Sequence, residues 1–294
     1  MWIDAFTEYL RCEKNRSERT IEAYEADLKE FESYMKATDE QISWDNLNKD
    51  VVRQWMVERM DGGASARSVC RYLSSLRSFY KFLLRRKLVE HDPVHGLQGP
   101  KKDKPLPQFV RESEMDRLLD GNYFADDLQG AQERLVLLTF YSTGIRLAEL
   151  VGLDWKDVDL AADQLKVTGK RDKQRIIPFG EEMHNALSDY RRRLDLEGMD
   201  GQEALFLNLK TGRRIAREKV QETVRRYLSQ VTTLKKRSPH VLRHSFATSM
   251  LNHNADLQSV KELLGHESLS TTEIYTHTTF EELKVMYNQA HPRA

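Results

Sequence analysis

The chain has 294 residues, enough for more than one hydrophobic core, and its 39% hydrophobic and 31% charged content suits a globular protein rather than an integral membrane one. Lys plus Arg equals Asp plus Glu at 46 each, so the total charge lacks the basic signature of many nucleic-acid binders and only its distribution is informative. The opening MWIDAFTEYLRCEKNR carries acids early and has no continuous apolar stretch. It does not read as a signal peptide, and a cytoplasmic protein is expected, with no membrane partner. Cys12 and Cys70 lack CxxC spacing and fall in helix-like patterns, so buried or half-buried thiols are expected rather than a disulfide or a metal site.

The first hundred residues follow helical periodicity. Ile21, Tyr24, Leu28, Phe31 and Met35 recur at three and four after a candidate N-cap at Ser17, which predicts one amphipathic helix. Val69, Leu73, Leu76, Tyr80 and Leu83 predict a second. On another face of that second helix lie Arg67, Arg71, Arg77, Lys81 and Arg85, and between Ala64 and Lys104 the only acids are Glu90, Asp92 and Asp103. A cationic face is ordinary on a surface helix, but this scarcity of acids favours one that tracks phosphates.

From His91 to Val110 the sequence HDPVHGLQGPKKDKPLPQFV holds four of the seven prolines. Proline removes backbone donors and disfavours helix in the residue before it, so this stretch predicts a linker. The expected organisation is an N-terminal helical domain over 1–92, a linker over 93–108 and a second domain over 109–294.

The second half is mixed. A helical segment at Gln132 to Tyr141 leads into a TGIR turn, and strands at Gln164 to Thr168 and Arg175 to Phe179 flank a charged GKRDKQ turn, placing Lys170 at a hairpin. Helices are predicted at Glu181 to Leu196, Glu218 to Leu228, His240 to Asn252 and Leu257 to Leu264. A second basic block runs from Lys210 to Arg243. Ser270 and Glu273 have capping-box spacing, which puts Tyr275 in the first turns of a short helix. A terminal amphipathic piece, Thr279 to Gln289, carries an apolar stripe of Phe280, Leu283, Met286 and Tyr287.

Six residues of this half carry chemistry: Arg146, Lys170, His240, Arg243, His266 and Tyr275. A phosphodiester in transit concentrates negative charge on its nonbridging oxygens, which planar arginine forks match with paired, charge-assisted hydrogen bonds. A phenol with an ordinary pKa of about 10 is a poor nucleophile until a base takes its proton or cations stabilise the phenolate. His240 suits the base, His266 a phosphate donor, and Lys170 the acid that protonates a departing 5′ oxygen. Such a site needs neither metal nor cofactor. His240 and His244 are spaced four apart, but HVLRH lacks the glutamate of HExxH and no third ligand is evident.

The ordered motifs TGIRLAEL, GKRDKQRIIP, HVLRHSFAT, LLGH and IYTH resemble the signature of the tyrosine recombinases, the phage-integrase family. SERTIEAYEADLKEF resembles the family's core-binding domain, and YTHTTFEELKVMYNQAHPRA resembles the ending of bacterial Xer recombinases. A start directly at the core-binding domain, with no extra arm-binding module, is also similar to a Xer protein. The resemblance implies a mainly α protein: a helical, SAM-like N-terminal core-binding domain and a mixed α/β catalytic domain with a small antiparallel sheet, the DNA breaking-rejoining enzyme fold.

The same resemblance implies that Arg146 and Arg243 clamp the scissile phosphate and that Tyr275 forms a 3′-phosphotyrosyl link. Lys170 would be the general acid, His240 the base or a phosphate ligand, His266 a further donor and Glu149 a supporting acid. Arg171 stands where the family's hairpin often reads Gly-Lys-Gly, and Lys173 competes with Lys170 for the acid role. Implied partners are double-stranded DNA, a homo- or hetero-tetramer formed on it, a second Xer recombinase and a DNA translocase of the FtsK type. Strand exchange would pass through a Holliday junction, in chromosome dimer resolution at cell division. A mobile-element integrase and a type IB topoisomerase-like relaxing enzyme are the alternatives. The terminal helix is left between packing on its own domain and docking on a neighbouring subunit.

Overall fold

The computed structural model describes residues 2–101, 108–169, 172–265 and 280–294. The chain divides into two compact units, Met1–Pro105 and Leu106–Ala294, each with its own apolar core. No helix among the described residues is long and apolar enough to cross a membrane.

The first unit is built from α1 (Trp2–Cys12), α2 (Glu18–Thr38), α3 (Lys49–Asp61) and α4 (Ala66–Arg85). Ile21, Leu28, Phe31 and Met35 of α2 and Val69, Leu73, Leu76, Tyr80 and Leu83 of α4 are all buried, as their periodicity predicts. An aromatic cluster fills the space between helices, with Phe31 and Trp55 rings 4.7 Å apart and Trp44 and Phe79 rings 4.8 Å apart, both edge to face. Two expectations are corrected here. Cys12 is exposed, its thiol donating to Glu8 on the solvent face at the end of α1 (3.0 Å), whereas Cys70 is half-buried. The stretch expected as a linker begins as part of this unit, because Val94 and Leu97 are buried in its core. The turn that carries them is closed by the Asp92 carboxylate accepting from the Val94 N–H (2.8 Å), so a proline-rich sequence still delivers two apolar side chains.

The second unit contains α5 (Glu112–Asp120), α6 (Leu128–Thr143), α7 (Leu147–Gly152), β1 (Val158–Asp159), β2 (Gln164–Thr168), β3 (Gln174–Pro178), α8 (Glu181–Leu196), α9 (Arg217–Val231), α10 (Pro239–Asn252), α11 (Leu257–Leu264) and α12 (Phe280–Ala290). The strands form one antiparallel sheet in the order β1-β2-β3, with Leu165 opposite Ile177 and Val167 opposite Arg175. Because side chains alternate along a strand, Leu165, Val167, Arg175 and Ile177 share the inward face. Helix α6 is buried almost all round from Leu135 to Thr143, which makes it the central element of the unit.

Helix α12 covers its own unit. Tyr287 is fully buried and Leu283 and Met286 pack against the second core. The residues that follow fasten it: His291 stacks on Tyr287 with ring centroids 5.0 Å apart, and Arg293 pairs with Asp116, Asp120 and Glu182 at 3.0, 2.8 and 2.7 Å.

Candidate active site

Arg146 is placed by the end of α6. Gly144 closes that helix in the left-handed conformation (φ 59°), and Arg146 follows as the N-cap of α7. Gly144 is needed for space as well, since a Cβ there would come 2.5 Å from the Phe246 ring and 2.8 Å from Leu264. Glu149, one turn into α7, accepts from the Arg146 backbone N–H (2.7 Å) and from Arg146 Nη1 (2.8 Å). Its hold on the backbone is the glutamate half of a capping box.

Arg243 comes from α10, whose first turn begins with Pro239 and presents His240, with Arg243 three residues on in the second turn. The arginine is 9% exposed; its Nη1 donates to Gly144 O (2.7 Å) and Nη2 to Leu264 O (2.6 Å). Burial and then the nearby Arg146 guanidinium lower its pKa to about 10. Two guanidiniums set this close form an arrangement that can accept an anion. His240 is exposed at the rim and has no hydrogen-bond partner among the described residues. Partial loss of solvent, then Lys236, Arg243, His244 and Arg146, hold its imidazole below the ordinary value, so at neutral pH it is an acceptor.

A third guanidinium completes the group. Arg175, on the inward face of β3, forks Glu149 from Nη1 (3.1 Å) and Nη2 (2.8 Å) and donates from Nε to Leu263 O (2.7 Å). Arg146 Nη2 donates to Gly265 O (2.9 Å). Three arginines from three elements therefore take three consecutive carbonyls, Leu263, Leu264 and Gly265, at the carboxyl end of α11. Sequence reasoning passed over Arg175. The signal was its phase: two residues before the buried Ile177, it had to point inward, where a charge requires a partner.

Burial raises the Glu149 carboxyl, but the Arg175 fork, the Arg146 N–H and the Arg146 guanidinium outweigh it and hold the group at about 2 against an ordinary 4.5. A depressed folded-state pKa contributes stability that is full above the unfolded value and lost as pH falls through the folded one. The wild-type chain is therefore expected to lose on the order of 3 kcal/mol between about pH 5 and pH 2 through this group. Urea unfolding across that range should show a shallower acid loss in Glu149→Gln; parallel curves would remove the carboxylate from this role.

The hairpin is present, with the Gly169 N–H donating to Lys173 O (2.8 Å) and Lys173 exposed. Lys170, His266 and Tyr275 lie outside the described residues, as does the short helix expected around Tyr275. On α4, Arg71 and Arg77 are exposed but partnered: Arg71 pairs with the buried Asp27 of α2, and Arg77 donates to Leu97 O. Arg67, Lys81 and Arg85 are exposed and have no hydrogen-bond or ion-pair partner among the described residues.

Residues 3–87 match the model of the phage integrase N-terminal SAM-like domain, and residues 108–282 match that of the phage integrase family. The chain belongs to the phage integrase family. Among relatives of this family, a protein named tyrosine recombinase XerC from Chlorobaculum tepidum is 40% identical over all of this chain and 95% of its own length. A tyrosine recombinase XerD from Oceanobacillus iheyensis is 35% identical over 99% of this chain and 98% of its own. The fold is shared with the XerH site-specific recombinase solved bound to its difH substrate, at TM-score 0.71 and 23% identity over 96% of this chain and 83% of that one. It is shared also with a lambda integrase dimer bound to a core site, at TM-score 0.71 and 17% identity over 93% and 98%. As a tyrosine recombinase of this family, the protein is an enzyme that cuts and rejoins DNA, with the helical SAM-like domain and small antiparallel sheet that the sequence resemblance implies.

Proposed function

We propose that the protein is a Xer-type site-specific recombinase in which Tyr275 attacks a phosphate of duplex DNA, forming a 3′-phosphotyrosyl link and releasing a 5′ hydroxyl. The observation that carries this reading is the convergence of Arg146 and Arg243, from the start of α7 and the second turn of α10, on adjacent carbonyls beside His240. Arg146 engages two of its five N–H donors among the described residues and so retains a face for phosphate oxygens. His240 takes the tyrosine proton, His266 donates to a nonbridging oxygen, and Lys170, or Lys173 on the same hairpin, protonates the leaving 5′ oxygen. Glu149 supports by holding Arg146. The new 5′ hydroxyl of a partner strand then attacks the phosphotyrosine, so the energy of the phosphodiester is conserved in the protein link.

The identity of 40% and 35%, nearly end to end, to relatives named XerC and XerD supports the further steps. Four protomers act on two DNA sites through a Holliday junction, either alone or with a second Xer recombinase. The process served is chromosome dimer resolution at cell division in the cytoplasm, with a translocase of the FtsK type as activator.

The test uses a nicked suicide duplex bearing a candidate target, with chelator present. Covalent protein–DNA adduct is expected, and peptide mapping should locate the DNA on Tyr275. Adduct on another residue, or none without a divalent metal, overturns the chemistry. Relaxation of arbitrary plasmids by the monomer would instead assign the topoisomerase-like activity.

The free part of the α4 cationic face is read as a phosphate contact. Neutralising Arg67, Lys81 and Arg85 together is expected to weaken binding on all sequences and to make the slope of log affinity against log salt shallower by about 2 to 3. An unchanged slope would return the face to solvent.

A further inference from the structure

We propose that Arg175 is a positioning residue for strand cleavage: by forking Glu149 and donating to Leu263 O, it fixes the distance between the turn that bears Arg146 and the carboxyl end of α11. This rests on the reading of the pocket given above.

The geometry separates Arg175 from Arg146, the more exposed of the two arginines assigned to the phosphate. All three of its guanidinium nitrogens donate within the protein, Nη1 and Nη2 to Glu149 and Nε to Leu263 O. Its side chain is 14% exposed, against 39% for Arg146. It is thus built into the walls of the pocket rather than turned toward a ligand.

The elements it joins are otherwise far apart in sequence. Glu149 belongs to α7 and is the shared acceptor of Arg146 and Arg175. Leu263 opens the run of three carbonyls whose other two members receive Arg243 and Arg146. These carbonyls have no partner within α11, whose carboxyl end carries partial negative charge, so the guanidiniums satisfy both demands. Gly265 then turns left-handed (φ 63°), and a Cβ on it would lie 3.3 Å from Arg175 Cδ and Nη1. Arg175 consequently packs against the turn as well as bonding to it.

Removing the fork leaves Glu149 buried and facing only Arg146 from its own helix and Arg243 from α10. Arg146 loses a rigidly held acceptor, and a displacement of about 1 Å in such a residue can cost on the order of a hundredfold in rate.

The experiment measures single-turnover adduct formation on the suicide duplex at saturating DNA for wild type, Arg175→Gln, Arg175→Lys and the double variant Arg175→Gln with Glu149→Gln. Arg175→Gln is expected to lower the maximal rate by about 10- to 100-fold while DNA affinity stays within about twofold. Its rate should also gain a second acid limb beside the one His240 gives to wild type, because the carboxylate has lost the fork that offset its burial. The double variant should lack that limb; His240 titrates in every variant and cancels in the comparison. Arg175→Lys keeps charge without a fork and should fall between, which preserves the test if the glutamine variant does not fold. Wild-type rates in the lysine variant, or a rate loss that tracks DNA affinity with an unchanged pH profile, would overturn the inference. A wild type that forms no adduct at all would overturn the functional reading, and this inference with it.

Discussion

Tyr275→Phe is expected to bind its target DNA as wild type does and to form no covalent adduct. The substitution removes one oxygen and keeps the ring, so packing and charge are unchanged while the attacking atom is gone. Loss of an enzymatic nucleophile leaves only the residual effect of binding and electrostatics, and the expected fall in cleavage is at least on the order of ten-thousandfold. Gel-shift affinity beside a denaturing gel of the suicide reaction checks both halves. Adduct that persists in the variant would identify a different nucleophile. Lost DNA binding would mean that the hydroxyl serves recognition.

Arg243→Lys is expected to fold and to slow adduct formation by about a hundred- to a thousandfold, equivalent to about 3 to 4 kcal/mol of transition-state stabilisation. Two physical reasons act together. An ammonium is a point donor and cannot hold Gly144 O and Leu264 O while presenting a planar edge to phosphate, as the guanidinium geometry allows. Burial and the Arg146 charge already lower the arginine to about 10. A lysine starts lower, and the same surroundings would drive it toward the neutral form near physiological pH. Single-turnover rates at saturating DNA are the measurement; a rate within about threefold of wild type would sink the clamp assignment.

Much of the fold was legible because it is written in periodicity. Helices α2, α4 and α11 and the β2–β3 hairpin each carry either a clear apolar stripe or a turn with charged residues between β-branched runs, and the structure shows them within a few residues of the expected limits. Helix α3 was less legible because it buries only Val52 and Trp55 along its length, and α7 is too short for a period to register. The cationic stripe of α4 illustrates a limit of another kind. Its charges read as one face, yet Asp27, forty-four residues before Arg71, takes that arginine into the packing of α2 on α4.

The candidate site was legible where side chains act and silent where backbone does. Arg146, Arg243 and His240 stand out by residue type and order, and Glu149 by its spacing from Arg146. The acceptors that align the guanidiniums are the carbonyls of Gly144, Leu263, Leu264 and Gly265. Every residue owns a carbonyl, so sequence cannot say which ones are offered. Only the folded end of α11 does.

The inward phase of Arg175 ties the accuracy of strand pairing to the chemistry. A slip of one residue between β2 and β3 would turn Arg175 to solvent, drive Ile176 inward and leave Glu149 buried with a single guanidinium from its own helix. A misregistered hairpin would thus disarm the pocket rather than redirect it. For an enzyme that breaks DNA, a folding error that fails safe is a material advantage over one that leaves a working blade in the wrong frame.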